Sequence, residues 1–122
     1  MRKTKNLLES FHHAAYGLWH CIKNERNIRI HLCMGVLAIF LGFVLHINYF
    51  EYLVLFLVIG AVIVSEMINT AIENVVDLVT QEYHPLAKIV KDITAGAVMF
   101  SCIVALFIGG VIFLPRITNL FL

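Results

Sequence analysis

The 122-residue sequence contains no GxxxxGK[ST] Walker run and no GxGxxG glycine loop. That excludes the usual ways of cradling a nucleotide's phosphates in a nest of backbone N–H groups. Cysteine is scarce: Cys21, Cys33 and Cys102 are odd in number, show no CxxC spacing and sit in helical or apolar contexts. They read as small core residues, not as a disulfide framework or a metal site. No cleavable signal pattern opens the chain, since the first twenty residues are amphipathic and lack a uniform apolar core followed by a small-residue cleavage site. Charge is absent from Tyr52 to Ser65 and from Ile93 to Leu114, and the turn His46 to Tyr52 carries no lysine or arginine.

What fills these gaps is apolar. A hydrophobic content of 61% and a mean hydropathy of +0.89 exclude an ordinary soluble domain, which runs near about 45–50% apolar. The expected fold is an all-α integral membrane protein, one domain over 1–122. After the basic opening Arg2-Lys3-Thr4-Lys5, apolar residues recur at Leu7, Leu8, Phe11, Ala14, Ala15, Leu18, Trp19 and Ile22, with Asn6, Glu9, His12, His13, Tyr16, His20 and Lys23 opposite. This predicts an amphipathic helix over about 5–24 lying in the membrane interface, with Phe11 and Trp19 facing lipid or the bundle.

Three spanning helices are predicted to follow, over about 28–47, 50–79 and 93–114, each long enough to cross at about 1.5 Å per residue. Pro85 in the polar connection 80–91 is expected to stop any continuing helix, Asp92 to cap the third span, and Pro115-Arg116 to open a short apolar tail. Of nine lysines and arginines, six lie before or at the very start of the first span, two lie between the second and third, and Arg116 alone follows the third. The positive-inside rule therefore puts the amino terminus in the cytoplasm and the carboxyl terminus outside.

Seven of the eight acidic residues fall on that same cytoplasmic side, which charge anchoring does not explain. Glu66, Glu73 and Asp77 lie within roughly 40° of one another on the second helix, flanked by Asn69 and Thr70. A carboxylate at the depth of Glu66 costs about 2.5–3.5 kcal/mol on insertion scales, so it marks a proton or ion pathway or a reaction site. Glu25, this stripe, Glu82, Lys91 and Asp92 can all meet at the inner membrane surface. Carboxylates gathered with a lysine suit Mg²⁺ shared with substrate phosphates, and hence phosphoryl transfer from a nucleotide such as ATP. Glu66, the deepest, is the candidate base for a lipid hydroxyl. The same stripe would equally line a non-enzymatic ion pathway, and the residues by themselves leave both readings open. His12, His13, His20 and His31 read as interfacial polar residues, Asn74 and Thr70 as packing.

The pieces Asn24-Glu25-Arg26-Asn27-Ile28-Arg29, Glu66-x-x-Asn69-Thr70-Ala71-Ile72-Glu73-x-x-x-Asp77, Glu82-Tyr83-His84 and Lys91-Asp92-x-x-Ala95-x-Ala97-Val98 resemble the small bacterial membrane lipid kinases, the diacylglycerol kinase and undecaprenol kinase family. The resemblance runs from about Ser10 to Phe113. It implies a multi-pass protein of the bacterial plasma membrane, a homotrimer with active sites shared between neighbouring chains, and no nucleic-acid partner. It further implies Glu66 as general base supported by Asn69, and Glu25 and Glu73 as the carboxylates bridging Mg²⁺ to ATP. Glu82, Tyr83, His84, Lys91 and Asp92 would contact the nucleotide, with Asp77 nearby. The acceptor lipid would enter beside the surface helix and the Asn27–His31 stretch. Where the diacylglycerol kinase branch carries an aromatic and an arginine on the surface helix near the nucleotide, this chain offers His13 and Asn6. The Asn24–His31 wording and His84-Pro85 resemble the undecaprenol kinase branch, which implies undecaprenol as acceptor, with diacylglycerol as the alternative.

Overall fold

The computed structural model describes residues 6–122; the basic opening, and with it the expected first residue of the surface helix, lies outside them. The described residues form four helices: α1 (Leu7–Asn24), α2 (Arg26–Val44), α3 (Tyr49–Val79) and α4 (Pro85–Phe121). Three of them, α2, α3 and α4, are long and apolar enough to cross a membrane. At about 1.5 Å per residue α2 just matches a bilayer's hydrocarbon core, whereas α3 and α4 outrun it and carry their ends into the headgroups or water.

Helix α1 starts where the Asn6 side chain accepts a hydrogen bond from the Glu9 N–H at 2.8 Å. It buries no residue, so Phe11 and Trp19 face outward and not onto the rest of the chain. The break into α2 is a single extended residue, Glu25, at φ −109 and ψ 117. Arg29 closes that corner by donating from one guanidinium nitrogen to the carbonyls of Ile22 and Lys23, at 3.0 and 2.8 Å. Those carbonyls belong to the last turn of α1, where a cation also meets the negative end of the helix dipole.

The main packing is between α3 and α4, with α2 laid against α3. Gly35 and Gly42 let α2 approach: a Cβ at Gly35 would lie 2.9 Å from Ile59 Cγ2, and one at Gly42 would lie 2.8 Å from Ile47 Cδ1. The core sits at the α2–α3 turn end, where Ile47, Leu55, Ile112 and Phe113 are buried together. An ionic clasp closes the same end. Asn48 and Glu51 form a reciprocal capping box, and Arg116 of α4 reaches both carboxylate oxygens of Glu51, with its Nη1 at 2.7 Å from Oε2.

Three expectations are corrected at the α4 ends. Pro85 does not interrupt a helix but starts one, at the position where its missing N–H would have no partner in any case. His84 caps it, Nδ1 accepting from the Leu86 N–H at 3.2 Å, so the connection shrinks to Thr80–His84. Asp92 therefore lies inside α4, ion-paired with Lys88 one turn earlier, and caps nothing. At the other end α4 passes through Pro115 and continues to Phe121; the expected tail is helical. The first span likewise runs 26–44, two residues earlier at its start than expected and three at its end, because the chain turns at Leu45 and His46, the latter at φ 55.

Candidate active site

The polar stripe of α3 forms as the helical spacing requires, buried over Glu66 to Thr70 and progressively exposed beyond them. Glu66 is 3% exposed, Asn69 7% and Thr70 6%; Glu73 is half-buried and Asp77 exposed. The stripe thus runs from an apolar interior to an open surface. Asn69 Nδ2 donates to Glu73 Oε1 at 3.2 Å, while Asn69 Oδ1 is buried with no hydrogen-bond partner. An amide oxygen only accepts, so the group it can meet is a donor.

Two cavities flank the stripe. An apolar one of about 640 Å³ lies among α2, α3 and α4, with Leu41, Leu55 and Phe113 toward one end and His31 and Cys102 among its lining. His31 Nε2 stands 3.6 Å from Glu66 Oε2, so the deepest carboxylate is met at the edge of this cavity. The placement follows from α2: Ile28, 1% exposed, fixes which side of the helix turns inward, and His31 lies three residues on, on that same side.

The second cavity, about 270 Å³, is polar and lies where α3 ends, the connection turns and α4 begins. Asp77, Glu82, Tyr83, His84, Lys91 and Asp92 all line it, bringing together every residue expected to contact a nucleotide from the last turns of α3 onward. The early start of α4 makes this possible, since the first two turns of a helix, instead of a loose connection, present Lys88, Lys91 and Asp92. Lys91 Nζ donates to Asp77 Oδ1 at 2.7 Å and so ties α4 to α3 across the pocket. Lys88, which sequence reasoning did not single out, also lines it; its i,i+4 spacing to Asp92 was the available signal.

Glu66, Asn69 and Glu73 line neither cavity but lie on the stripe, whereas Glu25 and His13 stand apart from both cavities and stripe. Glu25 is half-buried at the α1–α2 break and makes no side-chain capping bond there. His13 is on α1, with Nε2 3.8 Å from Glu9 Oε1. Among the described residues no group of three His, Cys, Asp or Glu side chains gathers to hold a metal. Mg²⁺ does not require one: it keeps waters and takes one or two carboxylates plus substrate phosphates. Glu73, beside the unpartnered Asn69 Oδ1, fits that kind of shared site.

The model of the prokaryotic diacylglycerol kinase family matches residues 12–113. Undecaprenol kinase of Bacillus subtilis is 40% identical over 109 residues, covering 89% of this chain and 89% of the relative. Diacylglycerol kinase of a Synechocystis species is 44% identical over 116 residues, 94% of this chain and 66% of the relative. Diacylglycerol kinase of Haemophilus influenzae is 30% identical over 109 residues, covering 88% and 92%.

Proposed function

The chain belongs to the prokaryotic diacylglycerol kinase family, a family of lipid phosphotransferases, and we propose that it transfers the γ-phosphoryl group of ATP to the hydroxyl of undecaprenol at the cytoplasmic membrane surface. The observation that carries this reading is the juxtaposition along α3: a buried carboxylate at the edge of an apolar cavity, and a lysine-bearing polar pocket farther along the same face.

On this reading the lipid's chain lies in the apolar cavity and its hydroxyl meets Glu66, which takes the proton as the lipid oxygen attacks the γ-phosphorus. The bond from the γ-phosphorus to the bridging oxygen breaks and ADP leaves. Asn69 lies one turn along α3 from Glu66, and its unpartnered Oδ1 can accept from the lipid hydroxyl. Asp77, Glu82, Tyr83, His84, Lys91 and Asp92 bind the nucleotide, with Lys88 beside them and His13 approaching from α1. Glu73 and Glu25 would hold Mg²⁺, which supplies neutralisation of the phosphate charge. Neighbouring chains of a homotrimer complete each site, as the resemblance to the family implies. The lysine and arginine distribution supports an inside amino terminus.

The name of the Bacillus subtilis relative and the His84-Pro85 pair favour undecaprenol. The Synechocystis relative, at 44% identity, favours diacylglycerol as the second reading. The deciding experiment offers both lipids together to purified protein in mixed micelles with labelled ATP and Mg²⁺. Preferential labelling of undecaprenol is expected. Preferential labelling of diacylglycerol would move the chain to the second reading, and labelling of neither would overturn the kinase assignment.

A further inference from the structure

We infer that His31 is a positioning residue for Glu66, holding that carboxylate toward the acceptor hydroxyl; the inference rests on the reading of Glu66 as the base. Glu66 is 3% exposed and does not itself line the apolar cavity, whereas His31 does, 3.6 Å away. A lipid hydroxyl arriving from the cavity therefore meets His31 and Glu66 together. The separation is within ion-pair range but longer than a direct hydrogen bond, as expected of a catalytic pair that tightens when substrate fills the site.

The neighbouring polar groups are committed elsewhere. Ser65 and Ser101 pair with each other at 3.0 Å across the α3–α4 interface. The Asn69 amide nitrogen is given to Glu73, and Arg29 is spent on the α1 carbonyls. Cys102, from α4, is the other side chain with a donor in the cavity lining, and a thiol is a weak one. Among the described residues His31 is the one group of potential positive charge within ion-pair distance of Glu66. Its chemistry suits the task. An ammonium or guanidinium would pair permanently with the carboxylate and blunt its basicity, whereas a neutral imidazole N–H orients it without a full opposing charge.

The competing view is that His31 merely lines the lipid cavity, and kinetics separate the two. We would measure kcat and the undecaprenol KM at saturating ATP and Mg²⁺ for wild type, His31→Leu, His31→Gln and Glu66→Gln, with binding of a fluorescent ATP analogue as the folding control. The glutamine amide nitrogen falls close to where Nε2 sits, so it keeps a donor toward Glu66. The expected result for His31→Leu is a loss of about 10–100-fold in kcat with the lipid KM within about twofold, as for an interaction made only in the transition state. His31→Gln should recover most of that loss. A change seated in KM, equal losses in Leu and Gln, or no loss at all would overturn the proposal. Should His31→Leu fail to bind the analogue, the comparison passes to His31→Asn, whose amide is too short to reach Glu66 and should behave as Leu was expected to; activity equal to that of His31→Gln would overturn the proposal. If Glu66→Gln itself stays active, the base assignment falls first, whatever His31 does.

Discussion

Replacing Glu66 by glutamine is expected to raise stability while removing activity. The substitution keeps the side chain's shape and takes away its charge. A carboxylate at this depth is costly, about 2.5–3.5 kcal/mol on insertion scales, and at 3% exposure water relieves little of that. The contact with the His31 imidazole offsets a part: at 3.6 Å, longer than a direct hydrogen bond, about 1 kcal/mol is a generous allowance. Glutamine should thus stabilise the fold by about 1.5–2.5 kcal/mol, measured as unfolding free energy in SDS-containing mixed micelles by loss of helical circular dichroism. In the same preparation kcat should fall by about 10²–10⁴, the usual worth of a positioned general base. The opposed signs are the test. A variant that is both inactive and less stable than wild type would mean that Glu66 holds the bundle together, and that the activity loss is a consequence of misfolding.

The packing makes Gly35→Ala destabilising by about 1–2 kcal/mol despite its better helix propensity, because the Cβ would press on the stiff, β-branched Ile59 at 2.9 Å. The same unfolding titration checks it; a more stable variant would show that α2 does not rest on Ile59. Arg116→Met should lower stability by about 1–2 kcal/mol by stranding the half-buried Glu51 carboxylate, with faster amide exchange confined to the α2–α3 turn. Lys91→Met should raise the KM for ATP by about tenfold, equivalent to about 1.4 kcal/mol, and leave the lipid KM unchanged; a purely lipid-side effect would remove Lys91 from the nucleotide pocket.

The α3 stripe was legible because its geometry is local: one helix and a fixed angle per residue place Glu66, Asn69, Glu73 and Asp77 on one face whatever surrounds them. The spans were legible for the same reason, since uncharged length alone defines them. The α4 start was misread because proline carries two opposite signals. It disfavours helix for the residue before it and is favoured as a helix's first residue. The signal for the second reading was there, in Leu86, Ala87, Ile89 and Val90 after Pro85 and in the i,i+4 pair Lys88–Asp92, but Lys88, Lys91 and Asp92 interrupt the apolar run and disguise it as a connection. Asp92 was then displaced from cap to mid-helix pair. The His31–Glu66 approach and the Arg29 clamp on α1 were illegible for another reason. One joins residues 35 apart in sequence and the other bends a side chain back across a helix break, and periodicity reports neither.

The stripe's dimensions also constrain where the transferring phosphate sits on the proposed reading. Eleven residues separate Glu66 from Asp77, about 16 Å along the helix axis. The base and the nucleotide pocket are therefore too far apart to share one phosphate directly, since reacting atoms must approach to about 3–3.5 Å. Glu73 lies between, about 10 Å from Glu66 and about 6 Å from Asp77 along the axis. A nucleotide anchored by Tyr83, His84 and Lys91 must then lay its phosphates back along α3, past Glu73, to bring the last one beside Asn69. Asn69 Oδ1, the buried side-chain polar atom without a partner among the described residues, only accepts and so is left to the lipid's hydroxyl and not to the phosphate. On the proposed reading the falling burial along α3 would thus lead the phosphates from water to the lipid's hydroxyl, with Lys91 and a cation shared with Glu73 in place of a nest of backbone amides.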